Sequence, residues 1–421
     1  MSDAVTALRA QVARQVAHWR GATAALGDLE TFASASAWSS LEQYLGLALR
    51  SHLTDAVGRL GLEADALAAD LRAARSGADL ERVRRRVVRF RHRYLQIETV
   101  MNFYGDAVNT RTNPRLAALL SACDVIAVQG MTQVLKPLGL YVPPVLTYLE
   151  YGIGAAITRF GLRLWDEGSL SPVAAIKITH HNLHRPTSLV HEIGHQIAHQ
   201  TNWTPELATA IRARLGPVSP PVADAWAGWT SEVNADAFAF AHTGYASVAA
   251  LHDVVAGEDR RVFSLPIGDP HPVPYLRVLL GARMCARAYG PGPWDDLARA
   301  WIASHPLSGA PEAVRALIEG SLEHLGTIVD LCLFTPMRAF GGRPLVALVD
   351  PLAVGPERLA SLDRDAQRGM DRSTYWLWQE CTRLLALTGF KLATAPELAA
   401  RLIEEQEAWM VRLGTTARAA A

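Results

Sequence analysis

The sequence has little of what marks secreted, membrane-spanning or nucleic-acid-binding proteins. Lys plus Arg and Asp plus Glu both number 41, so no excess charge favours nucleic acid or an anionic membrane as partner. The four cysteines show no CxxC spacing, which favours a reducing compartment over a disulfide framework. No basic stretch followed by an apolar run opens the chain, and no run of 18 apolar residues is free of charge. We therefore expect a cytoplasmic protein with no transmembrane segment and no nucleic-acid partner.

The composition favours a helix-rich protein with a large core. Half of the 421 residues are hydrophobic, and Ala, Leu and Arg are abundant. Near the N-terminus Leu8, Val12 and Val16 recur at helical spacing. A cluster of arginines at positions 84–93 has acidic neighbours. We interpret it as a solvated helix face, with a binding patch for a protein partner as the alternative.

A metal-binding pattern lies at residues 187–200, which read TSLVHEIGHQIAHQ. Residues four apart share one face of a helix, so His191 and His195 present both imidazoles to one zinc ion. Glu192 lies one position further round and reaches a water molecule bound to that ion, as in HExxH zinc hydrolases. Gly194 weakens a helix, so its position between the histidines predicts close packing against another element.

A second stretch, residues 229–240, reads WTSEVNADAFAF and supplies carboxylates. Glu232 is the expected third zinc ligand, because a His2Glu site leaves the fourth position open to water. Asp236 lies on the same helix face. We expect it to accept a hydrogen bond from the outward ring nitrogen of a ligand histidine, and it is the alternative ligand. The surrounding Ala and Phe residues predict burial, and a buried carboxylate pair needs a cation.

The stretch before the metal helix predicts a strand. Residues 173–180 read VAAIKITH, in which Ile176 and Ile178 alternate with polar residues. An extended peptide can add to an exposed sheet edge through main-chain hydrogen bonds. We therefore expect Ile176, Ile178 and His180 to bind substrate, with an ordinary hairpin strand as the alternative. His181 and His184 line the cleft or belong to a polar loop.

Three segments in order carry a resemblance to a known group. HEIGH, then SEVNADAFAF, then residues 271–277 (HPVPYLR) resemble the CAAX prenyl protease type I and HtpX-type zinc peptidases, within the gluzincins. The resemblance covers about residues 170–285. It implies that His191, His195 and Glu232 are zinc ligands and that Glu192 is the catalytic base.

The HPVPYLR segment supplies further candidates. A tetrahedral intermediate carries an oxyanion that needs a hydrogen-bond donor. His271 is the first candidate for this donor and Tyr275 the second. His271 has two alternatives, as a fourth zinc ligand or as a structural residue. Arg277 either binds substrate or anchors the loop by pairing with a carboxylate.

These observations predict a mainly α (α+β) protein in three parts. Residues 1–165 form a helical N-terminal region, 166–290 a zincin-like metallopeptidase core with a small sheet edge, and 291–421 a helical C-terminal region. The predicted function is a metalloendopeptidase with one zinc ion per chain that acts on a peptide or protein substrate. The helical flanks are available to a protein partner. The alternative is a non-catalytic scaffold in which zinc stabilises the fold.

Overall fold

The structure, a computed structural model, describes residues 3–150, 156–158, 171–183 and 185–420. It is mainly helical with a small three-stranded sheet, which confirms the mainly α prediction. The described residues form two compact units, residues 3–117 with 171–172, and the remainder up to residue 420. The predicted boundary after residue 165 lies outside the described residues, and the one after residue 290 falls inside the larger unit.

The smaller unit is built from long amphipathic helices. Its helices are α1 (Asp3–Leu26), α2 (Ala35–Leu45), α3 (Leu49–Ala73) and α4 (Gly77–Thr110). Helices α1, α3 and α4 pack against one another pairwise, and the apolar residues at helical spacing, such as Val12 and Val16, are buried between them. On α4, Arg84 and Arg85 pair with Glu81, so part of the arginine cluster is neutralised on its own helix face.

The larger unit contains the sheet and the metal helix. Its helices are α5 (Pro114–Leu135), α6 (His180–Leu183), α7 (Thr187–Thr201), α8 (Trp203–Leu215), α9 (Pro220–Gly228), α10 (Thr230–Thr243), α11 (Tyr245–Val255), α12 (Asp259–Val262), α13 (Pro274–Tyr289), α14 (Pro293–Ser304), α15 (Glu312–Leu322), α16 (Leu325–Leu333), α17 (Pro356–Gln367), α18 (Thr374–Thr394) and α19 (Ala399–Ala420). Its strands are β1 (Val145–Leu149), β2 (Ala156–Thr158) and β3 (Ala174–Ile178).

One helical segment among the described residues, Pro114–Leu138, is long and apolar enough to cross a membrane. It is 78% buried inside the protein over its most apolar window. Asp124 within it is buried too, and its carboxylate accepts a hydrogen bond from the backbone N–H of Thr147 in β1 at 2.7 Å. The segment therefore packs as a core helix against the sheet, and the expected lack of a transmembrane segment stays a prediction.

The sheet corrects the expected substrate edge. The strand order is β1-β3-β2, with β3 parallel to β1 and antiparallel to β2. The predicted strand forms over Ala174–Ile178, but Ile176 pairs with Thr147 on one side and Ile157 on the other. Ile176 and Ile178 are fully buried. The prediction that they form an exposed edge for a peptide is wrong, because the neighbouring strands already use the hydrogen-bonding groups of β3.

The metal helix α7 is held by burial and by a close approach to α10. Leu189, Val190, Ile193 and Ile197 along it are all buried. A Cβ atom added at Gly194 would lie 2.7 Å from the Cα atom of Ala235 in α10. Only glycine allows the two helix backbones to come this close, which confirms the close packing expected at this position.

Candidate metal centre

Three side chains from two helices converge at the α7–α10 contact. Each of His191, His195 and Glu232 offers one ligand atom, and these atoms lie within 4.8 Å of one another. His191 Nε2 is 3.3 Å from Glu232 Oε2, and His195 Nε2 is 3.4 Å from Glu232 Oε1. The histidines share a face because they are four residues apart on α7, and Glu232 faces them from the first turn of α10.

The separations across the α7–α10 contact are compatible with ligands of one zinc ion. Two ligand atoms that each lie about 2.1 Å from such an ion are about 3.4 Å apart. The distance from His191 Nε2 to Glu232 Oε2 and the distance from His195 Nε2 to Glu232 Oε1 are close to this value, and one ligand atom from each of the three residues lies within 4.8 Å of the others. Two imidazoles and a carboxylate also form a donor set typical of zinc with an open fourth position.

Asp236 and Arg277 support the cluster from behind. Asp236 Oδ1 lies 2.9 Å from the outward Nδ1 atom of His191. The Arg277 guanidinium donates to Asp236 through Nε at 2.6 Å and Nη2 at 2.8 Å, and Nη2 also donates to Glu232 at 3.3 Å. Asp236 thus occupies the position predicted for it behind His191. Because Arg277 engages two protein carboxylates, the structure favours the anchoring role and gives no support to the substrate-binding role.

The ionisable side chains of the site shift one another's pKa values. Burial disfavours the charged imidazolium, but hydrogen bonds to Asp236 and Glu232 outweigh it and raise the pKa of His191 to about 10. Burial also disfavours the Glu232 carboxylate, yet His191 and then Arg277 lower its pKa to about 2. The pKa of Asp236 is lowered as well, by Arg277 and His191 against the effect of burial. The site therefore keeps its carboxylates ionised and collects positive charge around them.

Two further contacts were missed by the sequence analysis. Ser231 Oγ lies 3.3 Å from Nδ1 of His195, and Asp269 Oδ1 lies 2.6 Å from Nδ1 of His271. Asp269 also accepts from the backbone N–H of His271 at 3.0 Å. Ser231 directly precedes Glu232 and Asp269 stands two residues before His271, so each was visible as a polar neighbour of a named residue. Nothing in the sequence indicated which way these side chains turn.

His271 stands at the open side of the cluster. Its side chain is 50% exposed, and its Nε2 atom lies 3.2 Å from Glu232 Oε2. Asp269 holds the His271 ring through Nδ1, so that Nε2 is directed at the group formed by His191, His195 and Glu232. This position agrees with a hydrogen-bond donor and with a fourth ligand, the two functional roles proposed for His271.

A cavity of about 840 Å³ opens beside the cluster. Six residues with a proposed role line its metal end: His191, Glu192, Glu232, Asp236, His271 and Arg277. Glu192 on α7 is only 7% exposed and lines this cavity. A glutamate that directly follows one of the candidate ligand histidines therefore borders this cavity.

Other predicted residues lie elsewhere. Tyr275 is buried, packs its ring against Phe263 and does not line the cavity, and burial raises its pKa. The structure gives no support to Tyr275 as an oxyanion donor. His180 is exposed in α6 and does not line the cavity either, whereas its neighbour His181 does. His184 lies outside the described residues.

We compared the chain with models of known protein families, with curated proteins and with solved structures, and found no match in any of the three. The resemblance to gluzincin peptidases therefore rests on the motifs, and the proposed function rests on the geometry of the site.

Proposed function

We propose that this protein is a zinc-dependent hydrolase of the gluzincin type that cleaves peptide bonds, with a zincin-like core around α7 and α10. The observation that carries the proposal is the convergence of His191, His195 and Glu232 from two helices, with Glu192 lining the cavity beside them. This is the arrangement that activates water next to a scissile carbonyl.

Each residue has a defined task in this proposal. Zinc, when bound, supplies a Lewis acid that acidifies a water molecule and polarises the scissile carbonyl. Glu192 accepts the proton of the attacking water and donates it to the leaving amine. His271, held by Asp269, donates a hydrogen bond from Nε2 to the oxygen that becomes negatively charged. Asp236, itself held by Arg277, keeps the His191 ring in the orientation that directs Nε2 toward the cluster.

The second candidate is a non-catalytic scaffold with a structural zinc ion, in which His271 is the fourth ligand. Structural zinc sites are closed by four protein ligands and have no use for a carboxylate that faces an open cavity. Glu192 lines a cavity of about 840 Å³ at the metal end. This feature favours the enzyme.

The first experiment is metal content by elemental mass spectrometry on protein purified without chelators. We expect about one zinc ion per chain in the wild type and strong loss in Glu232→Ala. Glu258→Ala, which removes an exposed carboxylate outside the cavity, is the control and should keep the metal. A wild type that stays folded and metal-free after zinc is added back would refute the proposal.

Cleavage separates the two candidates. Glu192→Gln should retain zinc and lose hydrolysis of a peptide library. If the wild type binds zinc but cleaves nothing, and if zinc removal lowers its thermal midpoint sharply, the scaffold replaces the enzyme.

A further inference from the structure

The cavity beside the metal centre has two chemically different ends. At one end lie the ionisable residues of the metal cluster. The rest of the interior is an apolar chamber, which we define by Phe240, Val248, Leu251, Leu280, Met284 and Ile403. These residues come from α10, α11, α13 and α19, so the chamber is enclosed by four helices of the same compact unit.

The charged residues of the cavity away from the metal end lie toward solvent. Asp253 and Arg261 are exposed, and Arg185 is partly exposed. Arg185 and Asp253 neutralise each other at 2.5 Å, and Arg261 donates to the backbone carbonyl of Val254 at 2.9 Å. By contrast Phe240, Val248, Leu280 and Met284 are all at most 3% exposed. A group that enters the chamber therefore leaves the charged rim and meets an uncharged interior.

The cavity that contains the chamber is larger than one amino acid side chain requires. At about 30 Å³ per water-sized group, a cavity of this kind has room for roughly twenty non-hydrogen atoms or more. Cavities of about 300–1,000 Å³ enclose whole small molecules. The whole cavity, which comprises the chamber and the metal end, has a volume of about 840 Å³, in the upper part of that range.

We propose that the apolar chamber binds a large uncharged group of the substrate, of about ten carbon atoms, next to the scissile amide. This inference rests on the proposed function and deepens it by naming the substrate class. Two sources present such a group: an acyl chain on the amide, or two neighbouring large apolar side chains of a peptide. Both bury the same kind of surface, and both leave the amide at the metal end.

Small residues keep the chamber open. Ala250 on α11 and Ala399 at the start of α19 line the cavity, and both are only partly exposed. Their chain neighbours Ala249 and Ala400 do not line it. A larger side chain at either lining position would occupy space that the proposed substrate group needs. The same substitution at the neighbouring position provides a matched control.

The test uses straight-chain alkyl hydroxamic acids of two to twelve carbons on the zinc-loaded wild type, with binding measured by calorimetry. The hydroxamate group chelates zinc, so each compound places its chain from the metal end and none is turned over. If the chain enters the chamber, each added methylene should tighten binding about fourfold until the chamber is full. A second series, of dipeptidyl hydroxamates with Ala, Leu or Phe side chains, identifies the source. For each series we compare the affinity of the tightest member with that of the smallest member. The larger gain identifies the natural group, an acyl chain for the alkyl series or apolar side chains for the dipeptidyl series.

Variants locate the chain. Ala250→Phe should make the plateau begin at a shorter chain, while Ala249→Phe should leave it unchanged. Ala399→Phe, with Ala400→Phe as its control, repeats the comparison on α19. If one variant of the first pair does not fold, this second pair still tests the inference. A plateau that moves in neither lining variant would overturn the inference.

The outcomes also separate this inference from the proposed function. If zinc binds and short hydroxamates bind, but affinity does not depend on chain length, the chamber proposal is wrong and the hydrolase proposal survives. If the folded protein takes up no zinc and binds no hydroxamate, both proposals are wrong.

Discussion

Replacing Gly194 by alanine tests whether the close approach of α7 and α10 sets the metal geometry. The added methyl carbon would lie 2.7 Å from Ala235 Cα and 3.1 Å from Ala235 O, both backbone atoms. Carbon atoms normally pack about 3.5–4.0 Å apart, so the helices must separate by roughly 0.8 Å or more. Overpacking costs about 1–3 kcal/mol, against a gain of up to about 1 kcal/mol from replacing glycine in a helix. We expect a net loss of about 1 kcal/mol or more in the free energy of unfolding.

The larger effect should fall on the metal. His195 follows Gly194 directly on α7, and Glu232 comes from the opposing helix, so separation of the helices lengthens the distance between ligands. Zinc–ligand distances tolerate only about 0.2 Å, and we expect zinc affinity to fall by tenfold or more. Chelator competition measures this affinity, and urea unfolding of the metal-free protein measures the stability.

Gly130→Ala is the matched control. Gly130 lies on α5, and a methyl group there would meet Ile193 Cδ1 and His242 at 3.8 Å, an ordinary contact. It should be neutral or stabilising by up to about 1 kcal/mol, with zinc affinity unchanged. Wild-type zinc affinity in Gly194→Ala would refute the argument that this contact positions the ligands.

Three further predictions concern individual polar side chains. Arg277→Met removes the guanidinium that donates two hydrogen bonds to the buried Asp236 and leaves His191 as the neighbouring cation. The metal-free protein should lose about 3–5 kcal/mol in urea unfolding, and a loss below about 1 kcal/mol would contradict this account. Asp269→Asn removes the carboxylate that orients His271, so kcat/KM should fall about 10–100-fold while zinc content stays at one per chain; unchanged turnover would exclude the orienting role. Burial lowers the pKa of His242 to about 4, so the unfolded chain takes up this proton near pH 6.5 before the folded protein does, and stability falls as pH drops through that window. His242→Gln should be about 2 kcal/mol less sensitive than the wild type to a change from pH 7 to 4.5 in urea unfolding, and equal sensitivity would show that His242 is not the titrating group.

The local features of the site were predictable because they depend on helix geometry alone. The spacing of His191 and His195 places both imidazoles on one face, and the spacing of Glu232 and Asp236 does the same for the carboxylates. Gly194 indicated a close contact because glycine inside a helix lowers its stability, so its presence there suggests that a larger side chain would not fit. These inferences need only the 3.6-residue repeat and the chemistry of each side chain.

Long-range pairing was not predictable in the same way. The pattern of residues 173–180 predicted a strand correctly, but periodicity does not say whether a strand is central or at an edge. β3 is central because one strand pairs with it on each side, residues 145–149 on one and residues 156–158 on the other. The sequence also left two roles open for Arg277. Whether it pairs with a protein carboxylate or is available to substrate depends on how α13 packs against α10.

Sequence patterns alone were enough to predict a mainly helical fold and to single out the residues of the candidate metal site. Only the packing of distant elements shows that Asp269 contacts His271, that Tyr275 does not line the cavity, and that α10, α11, α13 and α19 enclose a chamber beside the candidate metal centre. The difference lies in how far apart along the chain the interacting residues are. A ligand pair on one helix is set by a local repeat, whereas a cavity is the space left between elements that are distant in the chain and are brought together only by packing of the core.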